Sequence, residues 1–119
     1  MSKRRFHTAV SLALDVLHDH VRITAGMMQD AAEKQGGIEL YDALNIADVA
    51  RERIEAMRGR KYGCYDDVSV ELAVIGSLLT AIARAVGERD DPLGSAAKGG
   101  AGYVDVLLHM LELAEGGAK

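Results

Sequence analysis

Apolar residues recur along the first third of the sequence in alternating steps of four and three. This spacing is typical of a helix that packs one face along a seam against a neighbouring helix. Further apolar residues widen the face, so we expect the helix to contact more than one neighbour. The seam comprises Val10, Leu14, Leu17, Val21, Thr24, Met28 and Ala31, and the flanking residues are Phe6, Ala13, Val16, Ile23 and Met27.

Glycine-containing breaks divide the rest of the chain into three more helical segments. We predict helices at about residues 5–34, 39–58, 67–86 and 103–115, with Asp66 or Asp67 as the N-cap of the third. The glycine-rich stretch 88–100 is predicted to be the longest loop. The third and fourth segments are apolar nearly all round. The sequence therefore predicts an all-α, four-helix-bundle-like single domain that is completed by dimerisation or higher self-association.

The composition is consistent with a helical protein and disfavours some classes of binding partner. Hydrophobic residues make up 49% of the chain but aromatic residues only 4%, so the core must consist mainly of aliphatic side chains. The net charge of -4 disfavours generic binding to nucleic acid or to an anionic membrane. Cys64 is the single cysteine, which predicts a reducing, cytoplasmic location. We expect neither a signal peptide nor a membrane-spanning run.

Carboxylates occur where apolar core residues would be expected, and they are the candidate metal ligands. Glu71 opens the most apolar segment, Asp105 lies within an apolar run, and Glu52 with Glu55 forms an E-x-x-E pair. Carboxylates from different helices that converge in a bundle hold divalent cations, and oxygen ligands suit Mg²⁺. The alternative is structural, because the helix dipole favours acids in a first turn and an E-x-x-E pair is ordinary on a solvated face. In that interpretation Glu52 pairs with Arg51 or Arg58.

Basic residues in the second interhelical loop are candidate substrate ligands. Arg58 and Lys61 lie beside Gly59 and Gly63, a composition that suits a phosphate group and equally suits an exposed helix connection. His109 shares a helical face with Asp105 and is a further candidate, the alternative being a core or interface histidine. The other basic cluster, Lys3-Arg4-Arg5, is predicted to be a solvated tail.

Three short motifs resemble the MazG-like all-α nucleoside triphosphate pyrophosphohydrolases, especially small phage-type members. They are Glu71-Leu72-Ala73, the run from Asp105 to Ala114, and Lys61-Tyr62-Gly63. The resemblance implies a helical oligomer that holds Mg²⁺ and cleaves a nucleotide to its monophosphate and pyrophosphate. It also implies that Glu71 and Asp105 are metal ligands and that Lys61 contacts phosphate. The chain departs from the family's E-x-x-D motif, because Gly102 stands where the glutamate would be.

The sequence is consistent with two functional hypotheses from different classes. The first is a MazG-like protein that binds or hydrolyses (d)NTPs with a divalent metal. The alternative is a non-catalytic, phage-type helical interaction protein, such as an inhibitor, a regulator or a nucleotide sponge. It would work through an oligomeric or partner interface on the first helix. A DNA-binding regulator is disfavoured by the acidic charge.

Overall fold

Four helices account for nearly all of the part of the chain that is described. The computed structural model describes residues 3–116, with side chains from 4 to 115. The helices are α1 (Lys3–Gln35), α2 (Ile38–Arg58), α3 (Tyr65–Val86) and α4 (Pro92–Gly116). Each packs against the next along the chain, and α4 packs back against α1, so the four form a closed bundle. The predicted all-α, four-helix-bundle-like fold is confirmed.

The seam of α1 lies in the bundle core as the sequence predicts. Val10, Leu14, Leu17, Val21 and Met28 are each at most 2% exposed, and they pack into one continuous core with residues of the other helices. The helix ends where the glycines begin. Gly36 and Gly37 have positive φ angles of 69° and 120°, which an L side chain would adopt only with strain.

Helix α3 packs between α2 and α4, and part of its apolar surface stays exposed, as at Val70, which is 70% exposed. Its buried residues recur every three or four positions and are Val68, Leu72, Ile75, Leu79, Ile82 and Val86. By length and composition alone it is apolar enough to cross a membrane, which the sequence analysis did not expect. The predicted N-cap is wrong by two or three residues. Cys64 is the N-cap, and Asp66 and Asp67 lie in the first turn, where the helix dipole favours acids.

The start of α4 differs most from the prediction. The helix begins at Pro92, so most of the predicted loop 88–100 is helical and the connection from α3 spans only residues 87–91. Asp91 caps the helix, since its Oδ1 accepts the backbone N–H of Gly94 at 2.9 Å. Pro92 follows the cap, where its fixed φ suits a first helical turn. The Arg89 guanidinium beside Asp91 holds the pKa of that carboxyl below its ordinary value.

Helices α1 and α4 approach closely at His20 and Gly100. A Cβ added to Gly100 would collide with the imidazole Nε2 of His20, so only glycine fits without a shift. The same ring stacks on Tyr103 with 6.1 Å between ring centroids, and burial lowers the pKa of His20. Beside it lies a cavity of ≈ 10 Å³ lined by Thr24, whose buried hydroxyl has no hydrogen-bond partner within the described residues.

Candidate functional site

Glu71 lies in the groove between α2 and α3, where two neighbouring side chains already bind its carboxylate. The Tyr62 hydroxyl donates a hydrogen bond to Oε2 at 2.6 Å, and the Arg60 guanidinium forms an ion pair with Oε1. Burial and this carboxylate together raise the pKa of Tyr62 to about 12. In the described structure Glu71 therefore anchors the loop between α2 and α3.

The E-x-x-E pair on α2 faces solvent and the α1 side of the bundle. The Glu55 carboxylate lies 3.3 Å from His18 Nε2 and 3.9 Å from Arg51. Glu52 is exposed, and no ion pair joins it to Arg51 or to Arg58. The structural alternative that paired Glu52 with one of those arginines is wrong, because Glu55 is the glutamate that contacts Arg51.

Asp105 lies in a third place, the groove between α3 and α4. It lines a pocket of ≈ 340 Å³ together with Ser77, Thr80 and Arg84. The side chain is exposed, as is His109 one turn further along α4. Neither residue lies near Glu71. Glu71 lines the groove between α3 and α2, whereas Asp105 lines the groove between α3 and α4.

The predicted carboxylates are thus distributed over three different surfaces of one chain. Across residues 3–116 no group of three or more His, Cys, Asp or Glu side chains is placed to hold a metal ion. The four predicted ligands do not fit a single Mg²⁺ site within one chain, and the magnesium site stays a prediction.

The two basic residues of the second loop that were predicted to bind substrate lie in different surroundings. Arg58 forms an ion pair with Asp15 of α1 at 2.9 Å, so its charge is engaged. Lys61 is exposed and lines a pocket of ≈ 480 Å³ with Arg4, His7, Tyr62 and Gly63. Of the three candidate substrate-binding residues, only Lys61 shares a pocket with a second basic residue, Arg4, and the exposed lining of that pocket is almost entirely apolar.

An apolar groove lies between α1 and α4, away from the predicted acidic residues. It has a volume of ≈ 430 Å³, and its lining is apolar apart from the hydroxyl of Tyr103. Leu12 is 62% exposed, and Val106 and Met110 are each 58% exposed. We call the following residues the α1–α4 apolar surface: Ala9, Leu12, Ala13, Val16, Tyr103, Val106, Leu107, Met110, Leu111 and Ala114.

Part of this surface was visible in the sequence. Ala13 and Val16 are among the residues that widen the seam of α1, which predicted a second neighbour for that helix. Ala13 is buried and Val16 is 42% exposed, so α4 covers this flank only in part. On the α4 side, Val106 and Met110 are four residues apart and so share a helical face, in a segment whose sequence is apolar nearly all round.

Comparison of the chain with protein-family models, with curated proteins and with solved structures finds no match. The MazG-like resemblance therefore stays a prediction that rests on its three short motifs.

Proposed function

We propose that the protein is a non-catalytic helical interaction protein that works as a homodimer, with the α1–α4 apolar surface as the dimer interface. The observation that carries the proposal is a groove lined by ten apolar residues and by no charged one. Water contact with such a surface is costly, and burial against another apolar surface removes that cost.

The size of the surface admits a protein partner but does not by itself require one, since the largest apolar patch of a typical monomer covers roughly 300–600 Å². With Leu113 beside it, which is 60% exposed, the surface presents exposed apolar area on the order of 500 Å² per chain. That estimate is more than half of the ~800 Å² that each partner buries in a stable interface. Polar rim atoms and the half-buried side chains of the groove supply the remainder.

A second copy of the chain is the occupant that this surface fits. In a two-fold dimer each patch meets its own copy, so a charged residue at its centre would face a like charge. The groove lining contains no charged residue and avoids this repulsion. The neighbouring α1–α2 side of the bundle is different, because ion pairs such as Asp15–Arg58 cross between those two helices.

Sedimentation equilibrium with a matched pair of variants tests the proposal. The unmodified protein is expected to sediment as a dimer, and Met110→Glu as a folded monomer, because the new charge would lie in the interface. Val49→Glu is the control, since Val49 is 44% exposed on α2, outside the groove. A strictly monomeric parent protein, or equal loss of the dimer in both variants, would refute this interface.

Nucleotide turnover is the independent test of the other hypothesis. Purified protein is incubated with dNTPs and NTPs in Mg²⁺ or Mn²⁺, and pyrophosphate release is measured. We expect no release. Release that Asp105→Ala abolishes would contradict the non-catalytic assignment and support the pyrophosphohydrolase prediction.

A further inference from the structure

The groove between α3 and α4, which we call the α3–α4 groove, differs in chemistry from the α1–α4 apolar surface. It has a volume of ≈ 340 Å³, and more than half of its exposed lining is polar. Ser77, Thr80 and Arg84 line it from α3, and Asp105 lines it from α4. Polar atoms therefore face this groove, and its lining contains one cation and one anion.

Arg84 and Asp105 carry opposite charges but do not pair with each other. Both are exposed, and among the described residues neither side chain forms an ion pair or a hydrogen bond. Gly76 packs against Val104, so Asp105 lies near the level of Gly76. Arg84 follows Gly76 by eight residues, which is about 12 Å along α3 at 1.5 Å per residue. The two charges therefore lie towards opposite ends of one groove, too far apart for an ion pair within the chain.

Helix α3 has a second row of residues with the spacing of a packing seam, and this row borders the groove. Its members recur in alternating steps of three and four, as in a helix that packs along a neighbour. The row comprises Val70, Ala73, Ser77, Thr80 and Arg84. Val70 is 70% exposed, and the small side chains between Val70 and Arg84 let another helix approach closely. The core side of α3 is a separate row that begins at Val68, so the helix has a seam on each of two faces.

We infer that the α3–α4 groove is a second self-association surface, in which Arg84 of each copy pairs with Asp105 of the other. A two-fold axis that crosses the groove midway between these residues turns it end for end, so each cation faces an anion. The charges that are unpaired within one chain are then paired twice across the interface. This self-complementary arrangement of charge points to a second copy of the chain as the occupant.

The second surface acts in addition to the proposed dimer interface. The α3–α4 groove and the α1–α4 apolar surface share no residue, so one chain can use both. Dimers that form through the first surface would join into tetramers through the second. The second contact is the weaker one, because exposed ion pairs contribute little to stability and the row consists mostly of small side chains. We expect a dissociation constant on the order of 0.1–1 mM, so dimers predominate at micromolar concentration.

Complementary charge reversals test the inference in a chain that also carries Met110→Glu, which leaves only the α3–α4 groove to associate. Sedimentation equilibrium up to about 1 mM protein is expected to show dimers of this chain. Arg84→Glu or Asp105→Arg should each weaken the association about tenfold or more, because each creates two pairs of like charges across the interface. An equimolar mixture of the two variants should associate again. In the mixed dimer the two reversed charges face each other and the two original charges face each other, so both pairs attract.

Glu52→Arg is the matched control for these reversals. It changes the net charge by the same amount as Asp105→Arg, at an exposed position on α2 outside the groove, and is expected to leave the association unchanged. Absence of dimers at about 1 mM, equal weakening by the control, or a mixture that associates no better than its components would overturn the inference.

The chain without Met110→Glu provides a second measurement that does not depend on that substitution. Over the same concentration range it is expected to pass from dimer to tetramer, and a dimer that persists to about 1 mM would overturn the inference. A parent protein that is monomeric at micromolar concentration would instead refute the α1–α4 interface. The two proposals can therefore fail independently.

Discussion

Adjacent glycines in α4 are expected to respond to alanine with opposite signs. A Cβ at Gly99 meets no heavy atom within 4 Å, whereas one at Gly100 collides with the His20 ring. Both residues are helical, and alanine favours a helix interior over glycine by about 1 kcal/mol. Gly99→Ala should therefore raise the free energy of unfolding by roughly that amount, which corresponds to about 3–6 °C in melting temperature for a domain of this size.

Gly100→Ala gains the same helix propensity but must displace the His20 ring. Displacing it costs the stack on Tyr103, about 0.5–1.5 kcal/mol, and overpacking costs about 1–3 kcal/mol. The net change should be destabilising, by about 0.5–3.5 kcal/mol. Removing the ring with His20→Ala should then restore the benefit of the alanine, giving a coupling free energy of about 1.5–4.5 kcal/mol in a double-mutant cycle.

Urea denaturation measures the free energy of unfolding of the parent protein, Gly100→Ala, His20→Ala and the double variant. Gly99→Ala is measured beside them. If Gly100→Ala stabilises as much as Gly99→Ala, the close approach of α1 and α4 is refuted. If neither alanine changes stability, residues 99–100 are not in a helix interior and the sequence-based loop was right.

Three further predictions concern the cap, the tyrosine and the buried threonine. Asp91→Ala should cost about 1 kcal/mol of unfolding free energy through loss of the α4 cap, while its exposed neighbour Asp90→Ala should cost much less; equal costs would contradict the cap. The folded-state pKa of Tyr62 is raised from 10.0 to about 12, so its contribution to stability is complete below pH 10 and is lost as the pH rises to about 12. Denaturation across that range should show a steeper loss in the parent protein than in Tyr62→Phe, and parallel curves would refute the shift. Thr24→Val removes a buried hydroxyl without a partner and should stabilise by about 1 kcal/mol, whereas destabilisation would show that the hydroxyl is hydrogen-bonded.

Local sequence patterns predict most of the helical residues and the buried face of α1. The steps of four and three from Val10 to Met28 specify one face of α1, and the glycines after Gln35 specify its end, because both signals are local properties of the backbone. Asp91 and Pro92 are also a local signal for the start of α4. The glycines at positions 94, 99 and 100 are typical of a loop, and they led to the prediction of a loop over 88–100. A glycine is needed at position 100 because any larger residue would collide with His20 of α1. That contact is between helices, so no local sequence pattern contains it.

Which of the candidate functional residues lie together depends on how the helices pack, and no local pattern contains that information. Helical periodicity places Glu71, Asp105 and Glu55 each on a face of its own helix, but it does not say which neighbour that face contacts, and the bundle directs the three to different surfaces. Conversely, Arg4 and Lys61 are separated by most of α1 and all of α2. They meet because the short connection after Gln35 turns the chain back, so the end of α2 lies beside the start of α1.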